Sequence, residues 1–264
     1  MSRLIVPFIK ILFLGSLGLL SLFPLLFFLG LSLSREWFYP DFWPSAWSPE
    51  RWLALGAEEA PLGQSLLLSL LISLGVAGLA TGAGFLSGRQ IAFSPHKAFL
   101  LRLAYFPYIL SPVVYGACLN YYFVYADLSG RVAGVVLAQL MITYPFAVIL
   151  YSGYWNQHLR AMEGLVATLG GRAWQTYFWV IIPLSRNILL LGFFQTFLIS
   201  WFEYGLTRLI GLGQVPTLTI LVFQYIGEAD LHRAALAAWA LMAPPLVLLW
   251  LNRQFVLKNT VPDA

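Results

Sequence analysis

The 264-residue chain is poor in charge and nearly free of cysteine, and each shortage excludes a class of protein. Charged residues make up 10% of the positions, against about a quarter in a soluble domain. Most of the surface therefore faces something other than water. The one cysteine, Cys118, lies inside an apolar run, so neither a disulfide scaffold nor a cysteine-based metal site can be built. His96, His158 and His232 fall in predicted loops, and neither H-E-x-x-H nor G-x-S-x-G occurs. No metal site and no catalytic residue are expected. The phosphate-binding pattern G-x-x-x-x-G-K-[ST] is missing as well. Its nearest counterpart, Gly84 to Arg89, lacks both the spacing and the lysine, so the chain is not expected to hydrolyse nucleotide or to bind a cofactor itself.

What is present is apolar length. Hydrophobic residues form 60% of the chain and the mean hydropathy is +0.79. A bilayer core of about 30 Å needs about 20 apolar residues in a helix. Uncharged stretches of that order occupy 11–34, 60–88, 103–126, 132–157 and 234–252. A shorter one at 187–202 extends backwards through 180–182. Six spanning helices are predicted, since the runs lack the two-residue alternation of a membrane barrel. The first run is too long for a signal-peptide core and has no convincing cleavage site, so it reads as an uncleaved helix. Segment 209–227 is also uncharged, but Gly211, Gly213 and Pro216 interrupt it, and it reads as a partly buried or re-entrant segment.

Six spans with an inner N-terminus place ten of the fifteen Lys and Arg residues inside, in keeping with the positive-inside tendency. The predicted locale is a bacterial-type inner membrane, multi-pass, with both termini cytoplasmic. The net charge of +4 then reports orientation and gives no sign of nucleic-acid binding. The outer loop 35–59 carries Trp37, Tyr39, Trp43, Trp47 and Trp52, which fits either a loop lying on the interface or contact with an external protein.

The inner loop 156–183 has its own pattern. Met162, Leu165, Val166 and Leu169 share one face of a helix, while Arg160, Gly164, Ala167 and Gly171 form another of mostly small residues. Gly170 and Gly171 suit its C-terminus. Trp174, Tyr177, Phe178 and Ile181 repeat the apolar spacing on a second short helix that ends at Pro183. A helical element of this kind presents a short helix to water and lets another backbone approach; an amphipathic linker resting on the membrane fits the pattern equally.

This stretch resembles the EAA loop of permease subunits of binding-protein-dependent ABC importers. The segment Thr168-Leu169-Gly170 followed by Trp174, Val180 and Pro183 matches the glycine-to-proline half of that motif. Alignment on Gly170 puts Gly164, Leu165 and Val166 in the opening slots, with Glu163 one residue early. Downstream, residues 200–205, 216–219 and 234–240 resemble the last helices of permeases of the polyamine, thiamine and ferric-iron group. The resemblance covers roughly residue 63 to the C-terminus.

It implies an all-α, six-helix type I importer permease bundle of the MetI-like kind. Residues 1–62 add a first helix and the Trp-rich loop, and 63–264 form the five-helix core. It also implies an ATPase-coupling loop made of Met162, Glu163, Gly164, Leu165, Ala167, Thr168, Leu169, Gly170, Gly171 and Pro183. The implied partners are a cytoplasmic ATPase dimer that carries ATP and magnesium, a second permease subunit, identical or related, and an extracytoplasmic substrate-binding protein.

Within the spans, Asn120, Gln139, Thr143, Gln195, Thr196, Ser200 and Glu203 are the polar candidates for a translocation pathway, with interhelical hydrogen bonding as the simpler role. For Glu203 the simpler role is exposure to water or pairing with Arg208. The glycine pairs Gly78/Gly82 and Gly84/Gly88 read as helix-packing positions. The prolines at 107, 112, 145, 244 and 245 are expected to bend or interrupt helices. The competing readings are an ion-coupled carrier, a non-transport assembly subunit and an intramembrane enzyme. The first normally needs ionisable groups near the midplane, whereas the charges here lie at the ends of the runs.

Overall fold

A computed structural model describes residues 2–37, 41, 43–53 and 61–256 of the chain. The protein is all-α in its spanning parts. Among the described residues four helices are long and apolar enough to cross a bilayer, and two further bent helix pairs bring the number to as many as six. The chain divides into two compact units, Met1–Leu66 with Leu221–Ala243, and Leu67–Ile220 with Pro244–Ala264.

In the first unit, α1 (Ser2–Leu33) is one helix that begins well before the predicted start at residue 11. Only 6% of its apolar window is buried, and Leu19 and Leu20 are among the exposed side chains. A helix that is apolar all round and unburied suits lipid. It leads into a small hairpin, β1 (Ser34–Glu36) paired antiparallel with β2 (Ala46–Trp47), and then α2 (Glu50–Leu53). The Trp52 indole N–H donates to Ser32 Oγ at 3.2 Å, and the Trp37 ring lies 5.3 Å from that of Phe27. The loop's tryptophans thus fold back onto the end of α1, while Trp43 and Trp47 remain exposed. Tyr39, also named in this loop, lies outside the described residues.

The second unit holds the C-terminal part of α3 (Pro61–Ala92), then α4 (Lys97–Ile109), α5 (Pro112–Tyr125), α6 (Val132–Tyr154) and α7 (Gln157–Thr168). A short α8 (Ala173–Gln175), a π-helical turn (Thr176–Ile181) and α9 (Ile182–Leu184) lead to α10 (Arg186–Trp201) and α11 (Gly205–Gly211). The helices α12 (Leu218–Gly227) and α13 (Leu231–Val256) follow, with Leu221–Ala243 belonging to the first unit. One core of this unit gathers Ile72, Val76, Phe123, Val135, Ala138, Leu206, Ile210 and Val215. A second gathers Ala80, Phe85, Ala147, Tyr151, Trp155, Leu159 and Ile181.

Several expectations are corrected. The span predicted over 103–126 is two helices bent by 96°. Leu110 (ψ 144°) and Ser111 (ψ 132°) lie outside the helical region; Ser111 is held there because it precedes Pro112, which then starts α5. The backward extension of the fifth run is not collinear, since Ala173–Leu184 meets α10 at 78°. Conversely, Pro244 and Pro245 sit inside a continuous α13, as Pro145 does inside α6. Segment 209–227 holds α12 and the end of α11, helices of 10 and 7 residues, both too short to cross.

The two glycine pairs also part company. A side chain at Gly88 would stand 2.9 Å from Tyr151 Cβ and 3.0 Å from Ser152 N, and one at Gly84 would collide with Ala147. This pair lets α3 and α6 touch backbone to backbone. Gly78 and Gly82 face open space, so packing within the chain does not explain them.

Candidate functional site

The loop between α6 and α10 is the best-formed candidate. Trp155 ends α6 and donates its indole N–H to the Phe85 carbonyl at 3.1 Å, fixing the loop's first anchor to α3. Asn156 then caps α7, its side chain accepting from the Leu159 N–H at 3.1 Å. Helix α7 is closed at the other end by a two-bond cap. The Gly171 N–H donates to the Val166 carbonyl at 3.0 Å, and the Gly170 N–H to that of Ala167 at 3.1 Å. Gly170 has φ +79°, the left-handed conformation this cap requires, and glycine adopts it without a Cβ penalty.

Helix α7 is attached lightly. Leu159 is its one fully buried residue among those described, and Arg160 lies over the Phe93 ring at 4.9 Å. The decisive contact is Glu163. Its carboxylate accepts from Arg89 Nε at 2.8 and 3.1 Å and from Arg89 Nη2 at 2.7 Å, a bidentate pair. The Glu163 side chain is 12% exposed and that of Arg89 37%.

Of the other predicted loop residues, Met162 and Val166 are half-buried, whereas Leu165, Thr168 and Leu169 are exposed. The small face Gly164, Ala167 and Gly171 lines a cleft of about 400 Å³ together with Arg89, Arg160, Glu163, Ala173, Thr176 and Tyr177. Leu165 and Leu169 therefore point outward, and the small residues line the cleft between α7 and the following turn.

That turn departs from the predicted spacing. The Ile182 N–H donates to the Tyr177 carbonyl, five residues back, so the backbone is π-helical here. One residue more per turn breaks the i, i+3, i+4 register. Ile181 is fully buried while Trp174 and Phe178, predicted on the same face, are exposed. Pro183 lies in the first turn of α9, where its missing N–H is tolerated.

The pathway candidates are drawn together in part. Ser200 donates to Gln139 Oε1 at 2.5 Å, Gln139 Nε2 donates to Thr207 Oγ1 at 2.9 Å, and Thr207 donates to Glu203 Oε2 at 2.8 Å. Hydrogen bonds aligned in one direction reinforce each other. Thr143 donates to the Gln139 carbonyl at 2.8 Å. Ser69, Ser73, Thr217 and Thr219 line the space beside this network, which leaves no room for a water molecule. Thr196 stands apart, 3.2 Å from Thr81, and Asn120 accepts from Ser129. Gln195 is half-buried on α10.

Glu203 does not pair with Arg208. Its two oxygens accept from the Leu206 and Thr207 N–H groups at 2.7 and 2.8 Å, so it caps α11. A helix start offers free N–H groups and a positive dipole end, which outbid a surface arginine.

Sequence pattern alone left out Arg89, Thr207 and Trp155. The one signal for Arg89 was its place at the end of an apolar run. Among the described residues no group of three His, Cys, Asp or Glu side chains could hold a metal ion.

No known family model matches the chain. It is 29% identical to the chloroplastic sulfate permease 2 of Chlamydomonas reinhardtii over 173 residues, 60% of this chain and 47% of the relative. A probable sulfate transport system permease protein cysT of Chlorella vulgaris is 25% identical over 48% of this chain and 50% of its own length. The chain thus spans about half the length of these two algal relatives. The molybdenum transport system permease protein ModB of Mycobacterium tuberculosis is 28% identical over 212 residues, 75% of this chain and 77% of the relative.

Proposed function

We propose that this chain is the transmembrane permease subunit of an ATP-driven importer, forming half of a translocation pathway. The observation that carries the reading is α7, a 12-residue helix capped at both ends, with its exposed Leu165 and Leu169 offered outward. Relatives named as sulfate and molybdenum permeases support it. In this reading α7 seats on a cytoplasmic ATPase dimer, which binds ATP and magnesium and performs the hydrolysis. Gly164, Ala167, Thr168 and Gly170 give the contact its low bulk, and Gly171 and Pro183 set the return of the chain to the membrane.

The pathway is shared with a second permease subunit, identical or related, and an extracytoplasmic binding protein delivers the cargo. Residues 1–62 are an added helix and outer loop on a core of 63–264. The setting is a bacterial-type inner membrane with both termini on the cytoplasmic side. For cargo we take the class of the named relatives, an inorganic oxyanion such as sulfate, ahead of the polyamine, thiamine and ferric-iron group that residues 200–240 resemble. Those relatives lend that subgroup no support. The sealed hydroxyl and amide network around Gln139 and Ser200 suits this reading as a closed state of the pathway.

The test is recovery of the tagged protein from detergent-solubilised native membranes, with mass spectrometry of its partners. An ATPase carrying a phosphate-binding loop is expected, and it is lost when residues 162–169 are deleted. Intact protein without an ATPase, where other membrane complexes survive, overturns the proposal and favours an ion-coupled carrier.

A further inference from the structure

From the geometry around Arg89 we infer that the Arg89–Glu163 pair is a tie that makes α7 and the C-terminal end of α3 move as one body. The consequence for ATP coupling rests on the importer reading above; the tie itself does not. Three observations lead to it. First, α7 has little else to hold it: Leu159 is its one buried residue among those described, in the first turn, and Arg160 on Phe93 is exposed. Beyond that first turn Met162 and Val166 are only half-buried, so the pair is the strongest contact that holds α7 to α3.

Second, the pair has the geometry of a rigid joint. Arginine and carboxylate meet through two parallel N–H···O bonds, which fix orientation as well as distance, and a lysine cannot reproduce them. Glu163 is largely withdrawn from water, so the joint is not one of the exposed pairs that solvent competes away.

Third, the joint stands on a stiff base. Gly88, the residue before Arg89, lies in backbone contact with Tyr151 and Ser152 of α6, and Gly84 meets Ala147 one turn earlier. A displacement of α7 is therefore delivered to two spanning helices already locked together. The acid that the importer motif would place on the loop sits one residue early here, and the structure gives it an inward partner on its own chain. Glu163 is thus a positioning residue that acts through Arg89.

The test uses the full chain, purified with whatever ATPase accompanies it, in the Cys118→Ser background. Spin labels at Gln90→Cys on α3 and Thr168→Cys on α7 report the distance between the two helices. Both sites are exposed. With the pair intact, one narrow distance is expected, unchanged when ATP and vanadate are added. The charge-removing changes Arg89→Gln and Glu163→Gln are each expected to lose that single peak. The double exchange Arg89→Glu with Glu163→Arg is expected to recover it, which a general loosening of the fold would not allow. Retention of the narrow peak in both single variants overturns the tie, as does failure of the double exchange to recover it. If no ATPase accompanies the unmodified chain, the importer reading falls, and the nucleotide-free distances still decide the tie.

Discussion

At Gly88 and Gly82 the same residue type does different work. A methyl group at Gly88 meets the backbone of α6, which cannot step aside, and overpacking of this kind costs about 1–3 kcal/mol. At Gly82 a methyl group meets nothing within the chain. Gly88→Ala is therefore expected to lower the melting temperature in detergent, and Gly82→Ala to leave it within the scatter of the unmodified protein. Equal melting temperatures would refute the backbone contact of α3 with α6. Glu203 offers a second test at this scale. Glu203→Ala removes the acceptor of three hydrogen bonds at the start of α11, and loss of a cap costs about 1 kcal/mol. Arg208→Ala is expected to cost less, because Arg208 is exposed and does not hold that carboxylate. Thermal unfolding of the two variants compares them directly. The sequence showed Glu203 as an acid at the edge of an apolar run. Which of its neighbours would win it depended on where α11 begins, and that is set by tertiary packing.

At the scale of elements, apolar runs announced the long helices well, because only a helix hides its own backbone in lipid. The breaks were less legible. Pro112 marked one, yet Pro145, Pro244 and Pro245 carry the same signal and stand in continuous helices. The difference shows at Leu110 and Ser111, whose backbone leaves the helical region ahead of Pro112. The π-helical turn was invisible to spacing arguments that assume 3.6 residues per turn. Helix α7 was readable end to end, from its amphipathic spacing to the glycine that stops it. Its attachment was not, since Arg89 and Glu163 lie 74 positions apart. The caps of α7 make a local prediction. Asn156→Ala removes the acceptor for the Leu159 N–H and is expected to destabilise α7 by about 1 kcal/mol. Hydrogen exchange should quicken across 157–168 and remain unchanged in α6. Equal protection throughout would show that α7 does not need its cap.

At the scale of the whole molecule, the number of crossings follows from which helix ends meet. The C-terminal ends of α3 and α6 lie side by side, joined by Gly88 against Tyr151 and by Trp155 on the Phe85 carbonyl. Both therefore cross in the same direction, and the bent pair α4–α5 between them must cross once in the other. Helix α10 starts beside the C-terminal half of α6, where Leu189 accepts from Tyr151, and ends beside its N-terminal half, where Ser200 meets Gln139. It runs antiparallel to α6 and crosses once more. With α1 and α13 long enough to span, the described residues allow as many as six crossings, the upper count that length and composition give. The turn at Asp127, between α5 and α6, then lies on the opposite side of the membrane from α7. Single cysteines at Asp127 and at Thr168, each in the Cys118→Ser background, test this with a maleimide that cannot pass the membrane. In intact cells the first is expected to react, and the second only after permeabilisation, which also places α7 where an ATPase can reach it. Reaction of both from outside would break the parity argument, because α6 is the one helix between Asp127 and α7 and would then fail to separate them.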